Sequence, residues 1–263
     1  MGVSNLTKTE ARKLMDREGR GHTGSDWSTA LYEQFDILPN ATQSSTVSQM
    51  WDVTGAGTPT CAFATDGGGI TIGTTAADGG ADNDAAALWP LSTGAWSVAR
   101  KPDGTRKHRL AAKVKTGASI ASYCIQWGLK LTDTAVYKTD ADQVLIVFDT
   151  DAIDIDPGSG YADVAANSTT FYVIISKGGT DYAINTGITV AAATEYDFAI
   201  EIGTDGRPHV YINGKEISLT GIDSAPYAAM TTTASLLPTF RVLERVISST
   251  KTATIRWVQY LGK

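Results

Sequence analysis

Residues 194–219, TEYDFAIEIGTDGRPHVYINGKEISL, leave the chain few ways to fold. Tyr196, Phe198, Ile200 and Ile202 alternate with Asp197, Ala199 and Glu201, the two-residue period of a strand with one buried face. Asp205-Gly206 and Asn213-Gly214 are turn dipeptides, and Val210, Ile212 and Ile217 resume the apolar positions after them. The segment reads as a three-strand antiparallel meander.

The same signals recur from about residue 50 onward, separated by Gly, Asp, Asn or Pro. Leu110, Ala112 and Val114 alternate with Arg109, Lys113 and Lys115. Tyr123, Ile125, Trp127, Leu129 and Leu131 alternate with Cys124, Gln126 and Lys130. Both segments read as half-buried strands lying near each other. The continuous apolar runs at 143–148 (QVLIVF) and 171–175 (FYVII) fit central strands covered on both faces. Further strands are expected at 239–246 (Phe240, Val242, Val246) and 252–261 (Ile255, Trp257, Tyr260, Leu261), and residues 70–107 read as one strand followed by an extended surface loop. With 26 glycines and many threonines, the composition suits short strands and tight turns. The expected fold is an all-β, antiparallel jelly-roll β-sandwich spanning 26–263, preceded by an N-terminal arm at 1–25.

The arm has its own character. Thr7 stands three residues before Glu10 in capping-box spacing, Ala11, Leu14 and Met15 follow, and Gly19-Arg20-Gly21 closes a short helix over 7–18. So few apolar positions do not hold a helix in water without a surface to lie on. The segment is either a frayed terminus or an arm that a surface orders. Residues 1–22 carry Lys8, Arg12, Lys13, Arg17 and Arg20 against Glu10, Asp16 and Glu18, a net +2, on a chain whose total is −6.

Several classes of function drop out. No run reaches the roughly 18 apolar residues of a membrane helix, and the charged N-terminus lacks the apolar centre of a secretory signal. The expectation is no membrane partner and no export by the general route. Cys61 and Cys124 show no CxxC spacing and read as small buried hydrophobes. An excess of carboxylates, 28 against 22 Lys and Arg, opposes wholesale nucleic-acid binding. His22, His108 and His209 form no HxH or HExxH pair, and His108 and His209 are expected in ordinary surface roles. Gly158-Ser159-Gly160 lacks the flanks of a nucleophile elbow, and neither Gly67-Gly68-Gly69 nor Gly79-Gly80 leads into a phosphate loop. Asp149, Asp151, Asp154 and Asp156 are either a solvated acidic turn or a calcium site, and the stretch from Asp78 to Asp84 poses the same choice. Trp127 and Trp257 lie in apolar strand patterns and read as core. Trp27, Trp51, Trp89 and Trp96 fall in loop-like regions, where they could anchor a partner or a glycan.

The stretch Glu201-Ile202-Gly203-Thr204-Asp205-Gly206, followed by Val210-Tyr211-Ile212-Asn213-Gly214, resembles a signature of concanavalin A-like lectin/glucanase sandwiches, including laminin G-like domains. The match covers about 25 residues directly and, through the strand count, extends loosely over 50–262. Hydrolases of that family carry E-x-D-x-E or E-x-D-x-x-E on one strand, and no such spacing occurs here. The construction as a whole, from polar arm to the closing Trp257-Val258-Gln259-Tyr260-Leu261-Gly262-Lys263, also resembles virion proteins of tailed bacteriophages that decorate or cement the capsid.

That resemblance implies a virion structural protein without enzymatic activity, a capsid decoration or cement protein that bridges subunits of the shell. Its partner would be the major capsid protein, its location the virion assembled in the host cytoplasm, and its state a homo-oligomer, with a trimer expected. Lys8, Arg12, Lys13, Arg17 and Arg20 would pair with acidic patches, while Leu14 and Trp27 would bury apolar surface. No cofactor, metal or catalytic residue is expected. The alternative is a lectin-like carbohydrate-binding module of a phage tail or fibre, and a third reading is a polysaccharide-degrading enzyme.

Overall fold

A computed structural model describes residues 29–33, 35, 51–55, 59–74, 85–90, 107–153, 164, 166, 169–220, 227, 229–231, 236–245 and 250–262. The described residues hold fifteen strands and no helix. In chain order these are β1 (Thr29–Glu33), β2 (Trp51–Thr54), β3 (Thr60–Phe63), β4 (Ile70–Gly73), β5 (Ala85–Pro90), β6 (His108–Thr116), β7 (Tyr123–Lys130) and β8 (Asp142–Asp149). There follow β9 (Thr170–Lys177), β10 (Thr180–Thr189), β11 (Glu195–Ile202), β12 (Pro208–Ile212), β13 (Lys215–Ile217), β14 (Leu237–Glu244) and β15 (Thr252–Gly262).

All pairings are antiparallel and make two sheets. One runs β13-β12-β11-β6-β15-β4-β3, and the other runs β10-β9-β8-β7-β14-β5-β2. On the side of β15 away from β6 its first residues pair with β4, and Val258–Gly262 pair with β1, so two short strands share one long edge. This is the expected jelly-roll sandwich. The meander appears as β11, β12 and β13, with Gly206, Asn213 and Gly214 at positive φ in its two turns.

Some expectations need correction. Residues 70–107 hold a second strand, β5, paired between β14 and β2, and Trp51 lies on β2 in the core rather than in a loop. The segments that became β6 and β7 are not sheet neighbours, since they lie in opposite sheets. Strand β1 was not anticipated, because five residues with one Leu and one Tyr carry no periodic signal until β15 is there to pair with them. His108 is buried and hydrogen-bonded through Nδ1 to the Tyr260 hydroxyl at 2.6 Å, not placed at the surface.

Aromatic rings join the sheets. Trp127 of β7 and Phe171 of β9 both meet Phe198 of β11, with centroids 5.4 Å and 5.3 Å apart, and Phe171 also meets Tyr196 edge-on at 4.9 Å. These separations are the favourable ones for tilted and edge-to-face pairs. The row continues through Phe240 to Trp51, at 5.8 Å and 6.0 Å.

The outer face of the second sheet is also covered. All eight residues of β7 and all eight of β8 are buried, so β7 is not the half-buried strand its alternation suggests. The covering layer is the irregular β7–β8 connection, residues 131–141, called the strap below. Tyr137 from the strap packs on Leu145, Val147 and Ile174, with Ile153 beside them. At Gly128 of β7, at φ +151°, backbones come very close: a Cβ there would sit 2.2 Å from the Val144 carbonyl oxygen. On the other sheet, a register shift between Ile255 and Trp257 keeps Ile255 and Val258 in the inter-sheet core and sends Trp257 to the outer face against Ala111 and Ala199. Trp257 is therefore buried as expected, but not in the main core.

Replacing Phe198 with Ala is expected to lower unfolding free energy by about 3–5 kcal/mol, whereas Phe63→Ala, at a side chain 50% exposed, should change it by less than about 0.5 kcal/mol. Urea titrations of both variants measure the contrast, and equal effects would contradict the assignment of the inter-sheet core.

Candidate functional site

The meander that organises the first sheet also forms an open cleft at its edge. The β11–β12 turn is drawn tight by Gly203 N donating to Arg207 O, Gly206 N donating to Gly203 O, and Arg207 N donating to Asp205 Oδ1. Met230 N donates to Gly206 O and ties the later segment to this turn. Between the turn, the hairpin edge and the returning chain lies a cleft of about 480 Å³, within the range of small-ligand sites. Asp205, Arg207, His209, Glu216, Ser218 and Thr220 supply its polar groups. Pro208, Ile217, Leu219 and Tyr227 supply apolar surface.

His209 and Glu216 face each other across the β12–β13 hairpin, with Nδ1 2.8 Å from Oε1, and both are roughly half exposed. The neighbouring Tyr211 phenol is raised above its ordinary value by partial burial and by the Glu216 and Glu201 carboxylates. Tyr227 is held by its ring contact with Tyr182, centroids 4.8 Å apart. The cleft thus offers two carboxylate acceptors, a guanidinium and an imidazole over an apolar floor. That set suits a small polyhydroxylated ligand, which needs donors and acceptors at close spacing.

A second polar cluster lies under the strap. Arg245 Nε donates to Asp149 Oδ1 at 2.9 Å, its guanidinium also reaches Oδ2, and Tyr137 OH donates to Oδ2 at 2.7 Å. Asp151 N donates to Oδ1 as well. Both oxygens of Asp149 are thereby occupied, while Asp151 is exposed, so the two do not converge on a cation. Among the described residues no group of three or more His, Cys, Asp or Glu is arranged to hold a metal. Cys124 is fully buried beside this cluster, 3.3 Å from the Tyr137 hydroxyl, and burial pushes its thiol up to about 12, with the Asp149 carboxylate adding to the rise. Burial likewise raises Cys61 to about 11.

The expected partner-binding residues Lys8, Arg12, Lys13, Leu14, Arg17, Arg20 and Trp27 lie outside the described residues, as do the helix at 7–18, Asp78 to Asp84, Asp154, Asp156 and Trp96. The cleft was not singled out from the sequence, although its turn motif was. The missing signal was Tyr227, which comes from a separate segment and reaches the meander only in the fold.

No family model and no curated protein matches the sequence. Solved structures do resemble it. A Shewanella oneidensis protein of unknown function, SO2946, has a TM-score of 0.53 at 11% identity, over 100% of this chain and 97% of that one. The Emp46p carbohydrate recognition domain in its potassium-bound form has a TM-score of 0.51 at 8% identity, over 88% and 98%. Alginate lyase AlgAT5 of polysaccharide lyase family 7 has a TM-score of 0.46 at 11% identity, over 76% and 81%. The fold is thus a jelly-roll sandwich, shared with a carbohydrate recognition domain among others. The expectation that the chain is not an enzyme is corrected here, because solved structures similar to it include lyases, and the missing E-x-D-x-E spacing does not exclude enzymes from this architecture. At these identities the likeness is one of fold and transfers no activity.

With Cys61 raised to about 11, about one thiol in a thousand is ionised at pH 8, and fewer at Cys124. Native protein should therefore react slowly with a disulfide reagent at both positions, and two thiols should react at ordinary rates once it is unfolded in guanidinium. Rapid labelling of one thiol in the native state would overturn this description.

Proposed function

We propose that the chain is a capsid decoration or cement protein of a tailed bacteriophage, with residues 1–25 as the arm that docks on the major capsid protein. The observation that supports it is how the chain following that arm is fastened. Thr29–Glu33 pair with Val258–Gly262, and β15 is itself paired along its other side to β6 in the eight-stranded sheet. A pull transmitted to Thr29 would spread through this ladder of hydrogen bonds. The cations Lys8, Arg12, Lys13, Arg17 and Arg20 would meet acidic shell surface, and Leu14 and Trp27 would bury apolar area against it, with ordering of the arm opposing part of the gain. A closed trimer would set three arms around one symmetry axis of the shell.

Deleting residues 1–25 should leave a body with the parent's β-sheet circular dichroism and cooperative melt that no longer co-sediments with phage shells. Equal decoration by the truncated and full chains would sink the proposal.

A second reading, a lectin-like module of a tail or fibre, is favoured by the cleft and by the carbohydrate recognition domain among the similar folds. The Arg207→Ala/His209→Ala variant should keep its melting temperature within about 2 °C, since both side chains are at the surface, and should lose any signal the parent gives on a glycan array. A parent without sugar-dependent signal would remove this reading.

A further inference from the structure

Beside the apolar patch under Tyr137, the outer face of the seven-stranded sheet carries a buried group of polar side chains where a merely structural cover would be apolar throughout. Cross-strand rows of the ladder place Arg241 beside Gln126 and Lys130 beside Gln143 and Ser176, all buried. Their hydrogen bonds converge on the strap. Gln126 Nε2 donates to Ala135 O at 2.8 Å, Lys130 Nζ donates to Val136 O at 3.0 Å, and Gln143 Nε2 donates to Tyr137 O. Three consecutive carbonyls are thus read by three side chains from two strands. At the strap's ends, Asp133 pairs with Arg241, and Asp140 lies 3.4 Å from Lys130.

The face is not saturated by what covers it. Gln126 Oε1, Gln143 Oε1, Thr239 Oγ1 and Arg241 Nε are buried with no hydrogen-bond partner among the described residues. Burying Lys130 and Arg241 is costly, and covering the same strands with aliphatic side chains would avoid the desolvation. The strap itself has no regular secondary structure, and its middle is open to solvent, with Val136 44% exposed. Tyr137 and Ala135 hold the strap by apolar contact, and the exposed residues between and beyond them, Val136, Lys138 and Thr139, are where local opening without global unfolding begins.

We propose that this face is a docking groove for an acidic peptide segment of a partner protein, and that residues 131–141 occupy it as an internal stand-in. The recognition chemistry is set by the groove: backbone carbonyls taken by Gln126, Lys130 and Gln143, and carboxylates taken by Arg241 and Lys130. The incoming segment carries two Asp or Glu residues spaced as Asp133 and Asp140 are, and it adds acceptors and donors for the unused amide oxygens and guanidinium NH.

The probe is a synthetic peptide of the strap sequence, LTDTAVYKTDA, with an Asp→Asn version as control. Added in excess to the wild-type full chain, it should speed amide hydrogen exchange across residues 134–139 by at least fivefold, while the Asn version leaves exchange unchanged. In the Asp133→Asn/Asp140→Asn variant, which keeps side-chain size, the strap is held less firmly and peptide affinity should rise about tenfold or more by fluorescence anisotropy. Adding Lys130→Met and Arg241→Met to that variant should abolish binding. No change in wild-type exchange with peptide present overturns the proposal, and so does binding that survives loss of Lys130 and Arg241. Displacement of the strap by an acidic oligosaccharide but not by the peptide overturns the assignment of a peptide partner.

Discussion

The contact on which the sandwich depends is the meeting of Trp127, Phe171 and Phe198 between the sheets. Rings from β7 and β9 close on one ring from β11, and β11 in turn pairs with β6 and β12. Fixing Phe198 therefore fixes the register of β12, and through its turns the positions of Arg207, His209 and Glu216 at the sheet edge. The cleft inherits rigidity from the core directly, because Ile217 and Tyr227 of its lining belong to the same buried cluster as Phe198. Each ring pair contributes on the order of 1 kcal/mol beyond the area it buries, but the shared Phe198 makes the pairs cooperative, so a single truncation loses them together.

The two sheets solve the problem of their outer faces differently. The eight-stranded sheet leaves Lys113, Lys115, Glu195 and Asp197 partly in water, where Lys113 lies near both carboxylates and Lys115 reaches Asp66. Such exposed pairs cost little to form and contribute little. The seven-stranded sheet is shut on both sides at β7 and β8, and the ion pair there is dry: Lys130 and Asp140 are 0% and 1% exposed. Desolvation pulls the Lys130 ammonium below its ordinary value, while Asp140 opposes that pull. Removing Asp140 alone would leave a buried charge with no counter-ion, a more damaging change than replacing the whole pair with apolar groups. The strap is thus specified by complementarity with the sheet it covers.

Much of this was legible in the sequence, and the boundary is physical. Period-two alternation identifies which face of β6, β7 and β11 meets the core, because side-chain direction along a strand is a local property. The runs QVLIVF and FYVII correctly marked strands covered on both faces. What alternation could not reveal is whether the polar half of a strand meets water or another layer. Gln126 and Lys130 look solvent-facing by pattern and are buried because a segment later in the chain folds back over them. β1 and β5 were hidden for the same reason, since short strands with weak periodicity are defined by the partner edge, here β15 and β14. The cleft combines a turn motif that was read directly with Tyr227 from a distant segment, so only half of it was accessible to sequence reasoning.

Sheet order separates β1 from the open cleft. The fastening strand β1 lies beside β15, while the cleft sits on β12 and β13 at the far edge. From β1 to β13 there are five strand spacings through β15, β6, β11 and β12, about 24 Å at the usual separation. The pairing of β1 and the shape of the cleft are therefore set at different places on the sheet. Substitutions in β1 and in the cleft have no shared partners across that span, so their effects on stability should add.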